Sequence, residues 1–229
     1  GTINPVQKII DKAKTVGARV LIDGAQSTPH FSINVRELDC DFYVFSGHKL
    51  YGPSGIGVLY AREELLKVMP PYQGGGDMIE SVTFEKTDFA SPPYKFEAGT
   101  PHISGAVGLG AAVNYVSSIG LEKIADHEND VLRYGERRLS QIEGLRVIGV
   151  ASQKAGVSSF VLGAVHAHDV GTIGAQEGIA VRTGHHCAQP VMERFGVAST
   201  VRASIGMYNG RDDFDALANS LNKVKEIFG

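Results

Sequence analysis

Apolar and polar positions alternate between two periods along this chain, and the alternation sets out a series of helices and strands. Residues 3–14 place Ile3, Val6, Ile9, Ile10 and Ala13 at helical spacing, with Asn4 as a candidate N-cap, Pro5 at the first helical position and Gly17 as a stop. Arg19–Asp23 follows as a strand ending in a carboxylate, and Gly24–His30 as a polar turn. Phe42–Phe45 is short, aromatic or β-branched, and bounded by polar and glycine residues, which predicts a buried strand. It runs directly into Ser46-Gly47-His48-Lys49, so a lysine leaves the end of a strand. A helix followed at once by a strand reads as the middle of an α/β domain, and the chain is expected to be truncated upstream.

The pattern continues with a strand at 55–60, a short helix at 62–66 and a Pro/Gly loop, Pro70–Asp77. Residues 104–113 form a helix rich in small residues, expected to be buried because its glycines cost about 1 kcal/mol each unless something packs closely on them. Residues 121–142 form a long amphipathic helix. The shift between these two helix types near residue 116 predicts two domains, 1–115 and 116–229. In the second, strands are expected at 145–150, 157–163, 179–182 and 201–205, with helices at 169–178 and 211–228, the last capped by Asn209. The expected fold class is α/β: part of a large domain with a mainly parallel sheet, then a smaller α+β domain.

Composition narrows the classes of function. Hydrophobic residues make up 43% and charged residues 21% of the 229, as in folded globular chains. With 22 Lys+Arg against 25 Asp+Glu the net charge is -3, which points to neither nucleic acid nor an anionic membrane as partner. No apolar stretch reaches the ~20 residues a membrane helix needs. Two cysteines, Cys40 and Cys187, are too few for a disulfide framework, so a reducing, cytoplasm-like compartment is expected, or an organelle.

The candidate chemistry lies at strand ends. In open α/β sheets ligands sit outside the carboxyl ends of the strands, where Asp23 and Lys49 are both expected. An amine there is either an imine-forming nucleophile or a plain surface lysine. Cys187 ends the run His185-His186-Cys187. Zinc requires three or four ligands and no second ligand group with suitable spacing accompanies these, so a nucleophilic thiol is the favoured reading. Arg182 and Arg202 either balance surface carboxylates or grip a substrate carboxylate through a bidentate guanidinium.

Five motifs in order, Asp23-Gly24-Ala25-Gln26-Ser27, Ser46-Gly47-His48-Lys49, Gln73-Gly74-Gly75-Gly76, Phe96-Glu97-Ala98-Gly99-Thr100-Pro101 and Arg182-Thr183-Gly184-His185-His186-Cys187, resemble the SufS-type (group II) cysteine desulfurases and selenocysteine lyases. These are pyridoxal 5'-phosphate enzymes of aminotransferase class V with fold type I. The resemblance implies that Lys49 carries the cofactor covalently and moves the substrate α-proton, that Asp23 pairs with the ring nitrogen, and that Gln26 bonds the ring hydroxyl. Ser46 and His48 would contact the phosphate, and Gly99 and Thr100 would reach the partner subunit's cofactor in a homodimer. Arg202, with Arg182 as second candidate, would clamp the substrate carboxylate, and Cys187 would take the sulfur of L-cysteine or L-selenocysteine as a persulfide. A SufE- or SufU-like protein would accept that sulfur for iron–sulfur cluster assembly. His102 departs from the family pattern, which commonly has asparagine there. The family also has an upstream phosphate-binding turn and a ring-stacking histidine, for which this chain has no counterpart. A truncated, non-catalytic fragment retaining dimer or partner surfaces is therefore the expectation of another class.

Overall fold

The structure, a computed structural model, describes residues 1–228. The chain divides into two compact units: Pro5–Leu121, and Glu122 onward together with Gly1–Asn4.

In the first unit, α1 (Val6–Lys14) leads to β1 (Leu21–Asp23), α2 (Val35–Leu38) and β2 (Phe42–Ser46). A tight 3₁₀ turn, Gly47–Leu50, then leads to β3 (Gly57–Ala61) and α3 (Glu63–Val68). The strands form one sheet in the order β1-β2-β3, with β1 parallel to β2 and β3 antiparallel to it. Ile10, Val20, Cys40 and Tyr43 make its core. Asp41 fastens the start of β2: its Oδ2 accepts from the Val20 backbone N–H at 2.8 Å and its Oδ1 from Arg19 Nη1 at 3.0 Å. Helix α1 starts at Val6, with Pro5 rather than Asn4 in the cap position and no side chain capping it.

A hairpin of β4 (Ile79–Val82) and β5 (Thr87–Phe89) follows. Its residues are nearly all exposed, so it carries little of the apolar alternation that marks a strand in sequence. Helix α4 (Ile103–Ile119) is longer than expected and, in this chain, far less buried. Gly105, Leu109 and Val116 are its buried residues, whereas Val107, Val113 and Tyr115 stand open. Its small residues let one face approach the 3₁₀ turn closely without covering the other.

The second unit is an antiparallel sheet packed on helices. Its elements are α5 (Leu121–Leu139), β6 (Leu145–Ile148), β7 (Val157–Leu162), α6 (Ala167–Gln176), β8 (Arg182–Gly184), α7 (Gln189–Phe195), β9 (Thr200–Ser204) and α8 (Arg211–Phe228). The strand order is β6-β7-β9-β8. Leu132, Leu139, Phe160, Leu162, Val201, Phe214, Leu217 and Leu221 lie in one core, where each large buried side chain contributes about 1.5–3 kcal/mol. The strand expected at 179–182 begins instead at Arg182. Ile179 and Val181 pack against the core from the preceding segment without pairing. Asn209 does not cap α8 as an acceptor for the helix. Its Oδ1 accepts from the Gly206 backbone and its amide donates to Asp213, whose carboxylate accepts from the Gly210 N–H at 2.9 Å.

Candidate active site

Because β1 and β2 run parallel with Asp23 beside Val44, their carboxyl ends lie on one edge of the sheet. Asp23 ends β1 and Ser46 ends β2, two residues beyond the register partner of Asp23. Asp23, Ala25, Val44, Phe45, Ser46, Gly55, Ile56 and Gly57 line an open cleft of about 480 Å³. This is the position where parallel strands present ligands to the backbone and side chains at their ends. The Asp23 carboxylate is exposed, and its Oδ1 accepts from the Ala25 N–H at 2.9 Å, which fixes the loop after the strand. Gln26 lies on the same loop and is exposed.

Lys49 sits on the 3₁₀ turn that leaves β2, half-buried, with no ion pair among the described residues. The turn is fixed by its backbone. The Gly47 N–H donates to the Ile56 carbonyl at 2.8 Å and the Gly52 N–H to the Gly47 carbonyl at 3.0 Å. Gly47 is required by space: a Cβ there would lie 2.9 Å from Ile56 Cγ2 and 3.4 Å from Leu109 Cδ1. Leu109 of α4 thus props the turn that carries His48 and Lys49. His48 is exposed on the same turn. Elsewhere in this unit the Gly99 N–H donates to the Gly76 carbonyl at 2.8 Å, joining the glycine loop to the Gly99-Thr100 motif. His102 follows at the foot of α4, its side chain making no cap bond to the helix.

The thiol group of residues belongs to the second unit. Arg182 of β8 lies opposite Arg202 of β9 in the strand register. Arg182 Nη2 is 3.5 Å from the exposed Cys187 Sγ. Two consecutive non-glycine residues on this loop, His186 and Cys187, have φ of 55° and 59°, in the left-handed region. The sequence pattern assigns no role to His186 or to Thr200. Here His186 Nε2 lies 2.9 Å from Thr200 Oγ1 and 3.2 Å from the Thr200 carbonyl. A carbonyl only accepts, so Nε2 carries the proton and donates. Burial, reinforced by the Arg202 and Arg182 cations against the opposing carbonyl bond, holds the imidazole pKa below its ordinary value. Burial and the neighbouring Arg182 also lower that of Arg202. The Arg202 Nε is buried with no hydrogen-bond partner, a donor left over for an anion. The only clue to His186 in the sequence was the doubled histidine, since its partner is 14 residues away and is brought close by strand register.

An acid and a hydroxyl line a cleft at a parallel strand edge, and a lysine follows on the turn that leaves it, the arrangement of an α/β chain that binds ligands at the carboxyl ends of its strands. The chain belongs to the aminotransferase class-V family, which matches residues 1–217. A cysteine desulfurase of Serratia proteamaculans is 52% identical over 230 residues, covering 100% of this chain and 56% of that protein. One of Synechococcus elongatus is 52% identical over 225 residues, covering 98% of this chain and 36% of its own length. A crystal structure of the Escherichia coli cysteine desulfurase CsdA superposes with a TM-score of 0.95 at 40% identity, covering 99% of this chain and 56% of that one. An apo cysteine desulfurase from Thermococcus onnurineus gives 0.94 at 39% identity, covering 99% and 57%. The chain thus spans about half the length of the Serratia, Escherichia and Thermococcus proteins, and the fold is that of the fold type I enzymes.

Proposed function

We propose that the protein carrying this chain is a pyridoxal 5'-phosphate-dependent cysteine desulfurase, converting L-cysteine to L-alanine and holding the sulfur as a persulfide for iron–sulfur cluster assembly. The observation that carries this reading is Cys187 beside Arg182 on an exposed loop, in a family chain whose sheet edge bears Asp23, Ser46 and Lys49.

The donor set fits the cofactor. A carboxylate at the cleft suits a protonated ring nitrogen, a hydroxyl and an imidazole suit a phosphate, and the Lys49 amine suits a covalent link. When bound, the cofactor supplies an electron sink that loosens the bonds at the substrate's α carbon. Asp23 would hold the ring-nitrogen proton, Gln26 would bind the ring hydroxyl, Ser46 and His48 would hold the phosphate, and Lys49 would take and return the α-proton. Gly99 and Thr100 would contact the phosphate of the cofactor in a second subunit of a homodimer. Arg202, through its unused Nε donor, would bind the substrate carboxylate, with Arg182, its register partner, as second candidate. The Cys187 thiolate attacks the substrate sulfur: an S–S bond forms, the C–S bond breaks, and a proton completes L-alanine on the carbon that keeps the electron pair. A small SufE- or SufU-like protein takes the persulfide sulfur. Both cysteines are free thiols, which supports a reducing compartment such as the cytoplasm.

The test is a pyridoxal phosphate titration followed by visible absorbance, with alanine release measured from L-cysteine and, in parallel, L-selenocysteine. The expected result is a band that Lys49→Ala abolishes and that Cys187→Ala keeps while losing alanine release from cysteine. Full cysteine desulfuration by Cys187→Ala overturns the persulfide assignment. A band from the longer protein but none from these 229 residues assigns this chain the role of a non-catalytic part.

A further inference from the structure

We propose that His186 is the positioning residue for Cys187: its imidazole, donating from Nε2 to Thr200, pins the left-handed pair His186-Cys187 so that Sγ faces the Arg182 guanidinium. The proposal rests on the desulfurase reading only for what the thiol does once positioned.

Three observations carry it. First, His186 and Cys187 both sit at φ near +55° to +60°, where non-glycine residues cost of order 1–3 kcal/mol and persist only when their surroundings hold them. Second, the loop has few other fixings. The Ala188 N–H donates to the His185 carbonyl at 2.9 Å, and beyond that turn His186 supplies the side-chain bonds that tie the loop to β9. Thr200 is fully buried and lies in register with Gly184, so it is a rigid acceptor. Third, the same strand pairing sets Arg182 opposite Arg202, and Arg182 reaches Sγ at 3.5 Å. The close approach of Thr183 to Gly171, whose Cβ would lie 2.7 Å from Thr183 Cγ2, holds β8 against α6. Thus β8 fixes the arginine, β9 fixes the histidine, and the loop between them presents the sulfur. In that arrangement Arg182 faces an anionic sulfur both as thiolate and as persulfide.

The experiment uses the full 229-residue chain without cofactor, so its outcome is independent of turnover. Cys187 is alkylated with iodoacetate, which is anionic, and with iodoacetamide, which is neutral, and the modified peptide is read by mass; the buried Cys40 serves as the unreactive reference. An arginine beside the sulfur raises the iodoacetate-to-iodoacetamide rate ratio about 2- to 5-fold over free cysteine. Arg182→Ala is expected to remove that excess. His186→Asn, which tolerates the left-handed backbone but is too short to reach Thr200, is expected to lose most of it. Thr200→Val is expected to lower the ratio and Thr200→Ser to preserve it. A merely structural role for His186 lowers the melting temperature and leaves the ratio in place. An unchanged ratio in folded His186→Asn overturns the proposal, as does an unchanged ratio in Arg182→Ala. Where His186→Asn does not fold, an unchanged ratio in Thr200→Val overturns it.

Discussion

Replacing Gly24 by alanine tests whether the loop after β1 is as tightly built as the structure shows. Gly24 is buried, its N–H donates to the Val44 carbonyl at 2.8 Å, and its carbonyl accepts from the Thr28 N–H at 2.9 Å and hydroxyl at 2.8 Å. A Cβ on Gly24 would lie 1.9 Å from Tyr43 Cζ and 2.0 Å from its hydroxyl oxygen. Carbon atoms sit comfortably at ~3.5–4.0 Å, so the ring must move by more than about 1.5 Å. Tyr43 is 4% exposed and its backbone is paired on both sides, to Ile22 and Tyr60, so only the side chain can yield. Moving it breaks the hydroxyl bonds to Ser27 at 2.8 Å and Thr28 at 3.0 Å. Those bonds are worth about 1 kcal/mol each, and the overpacking adds about 1–3 kcal/mol. Alanine recovers up to ~1 kcal/mol by restricting the unfolded chain. The expected net loss is about 2–4 kcal/mol. Urea unfolding by far-UV circular dichroism, with hydrogen exchange of peptides from residues 20–45, measures it in the right unit. In a Tyr43→Leu background the same substitution is expected to cost at least ~1 kcal/mol less, because the obstructing ring is gone. A Gly24→Ala chain within about 0.5 kcal/mol of wild type, or no relief in the Tyr43→Leu background, refutes the reasoning.

Two further outcomes are expected. Asp41→Ala leaves the buried Val20 N–H without its acceptor and is expected to cost about 1–3 kcal/mol in urea unfolding, whereas Arg19→Ala, which removes an exposed partner, costs less than ~1 kcal/mol. Stability also carries a pH signature from His186. Its folded pKa lies below the unfolded value of about 6.5, so the contribution is fully present above that pH. It is lost as pH falls from there toward the folded pKa, because the unfolded chain takes up the proton first. Urea midpoints at pH 7.5 and 5.5 are expected to fall further in wild type than in His186→Asn, and equal falls would contradict the burial of a neutral imidazole.

The placement of the candidate site is legible in the sequence where its residues lie at a strand end. Asp23 and Ser46 close apolar runs, and a parallel pair puts two such ends side by side, so strand ends in sequence became neighbours in space. The thiol loop was only partly legible. Ile179–Val181 is apolar because it packs on the core, and apolarity alone does not distinguish burial from ladder pairing, so the strand was expected three residues early. His186 and Thr200 were missed because their contact is created by the β8–β9 register, which no local pattern records. The β4–β5 hairpin escaped for the opposite reason: with both faces exposed it has no buried side to impose alternation. The small residues of α4 predict a buried helix, whereas close approach is needed on one face only, where Gly105 meets His102, Gly108 meets Pro53 and Leu109 meets the lysine turn.

The order β6-β7-β9-β8 leaves β8 on the outside of its sheet, three residues long and bonded on one flank only. An interior strand cannot part from its neighbours without opening the core, whereas this one is held by one short ladder to β9, the Thr183–Gly171 contact with α6 and the His186–Thr200 bonds just beyond it. The segment leading to Cys187 is therefore expected to open at the cost of these three ties and not of the whole unit. Parting β8 from β9 costs Val201 its pairing with Thr183 and leaves Phe160, one strand further in, still paired.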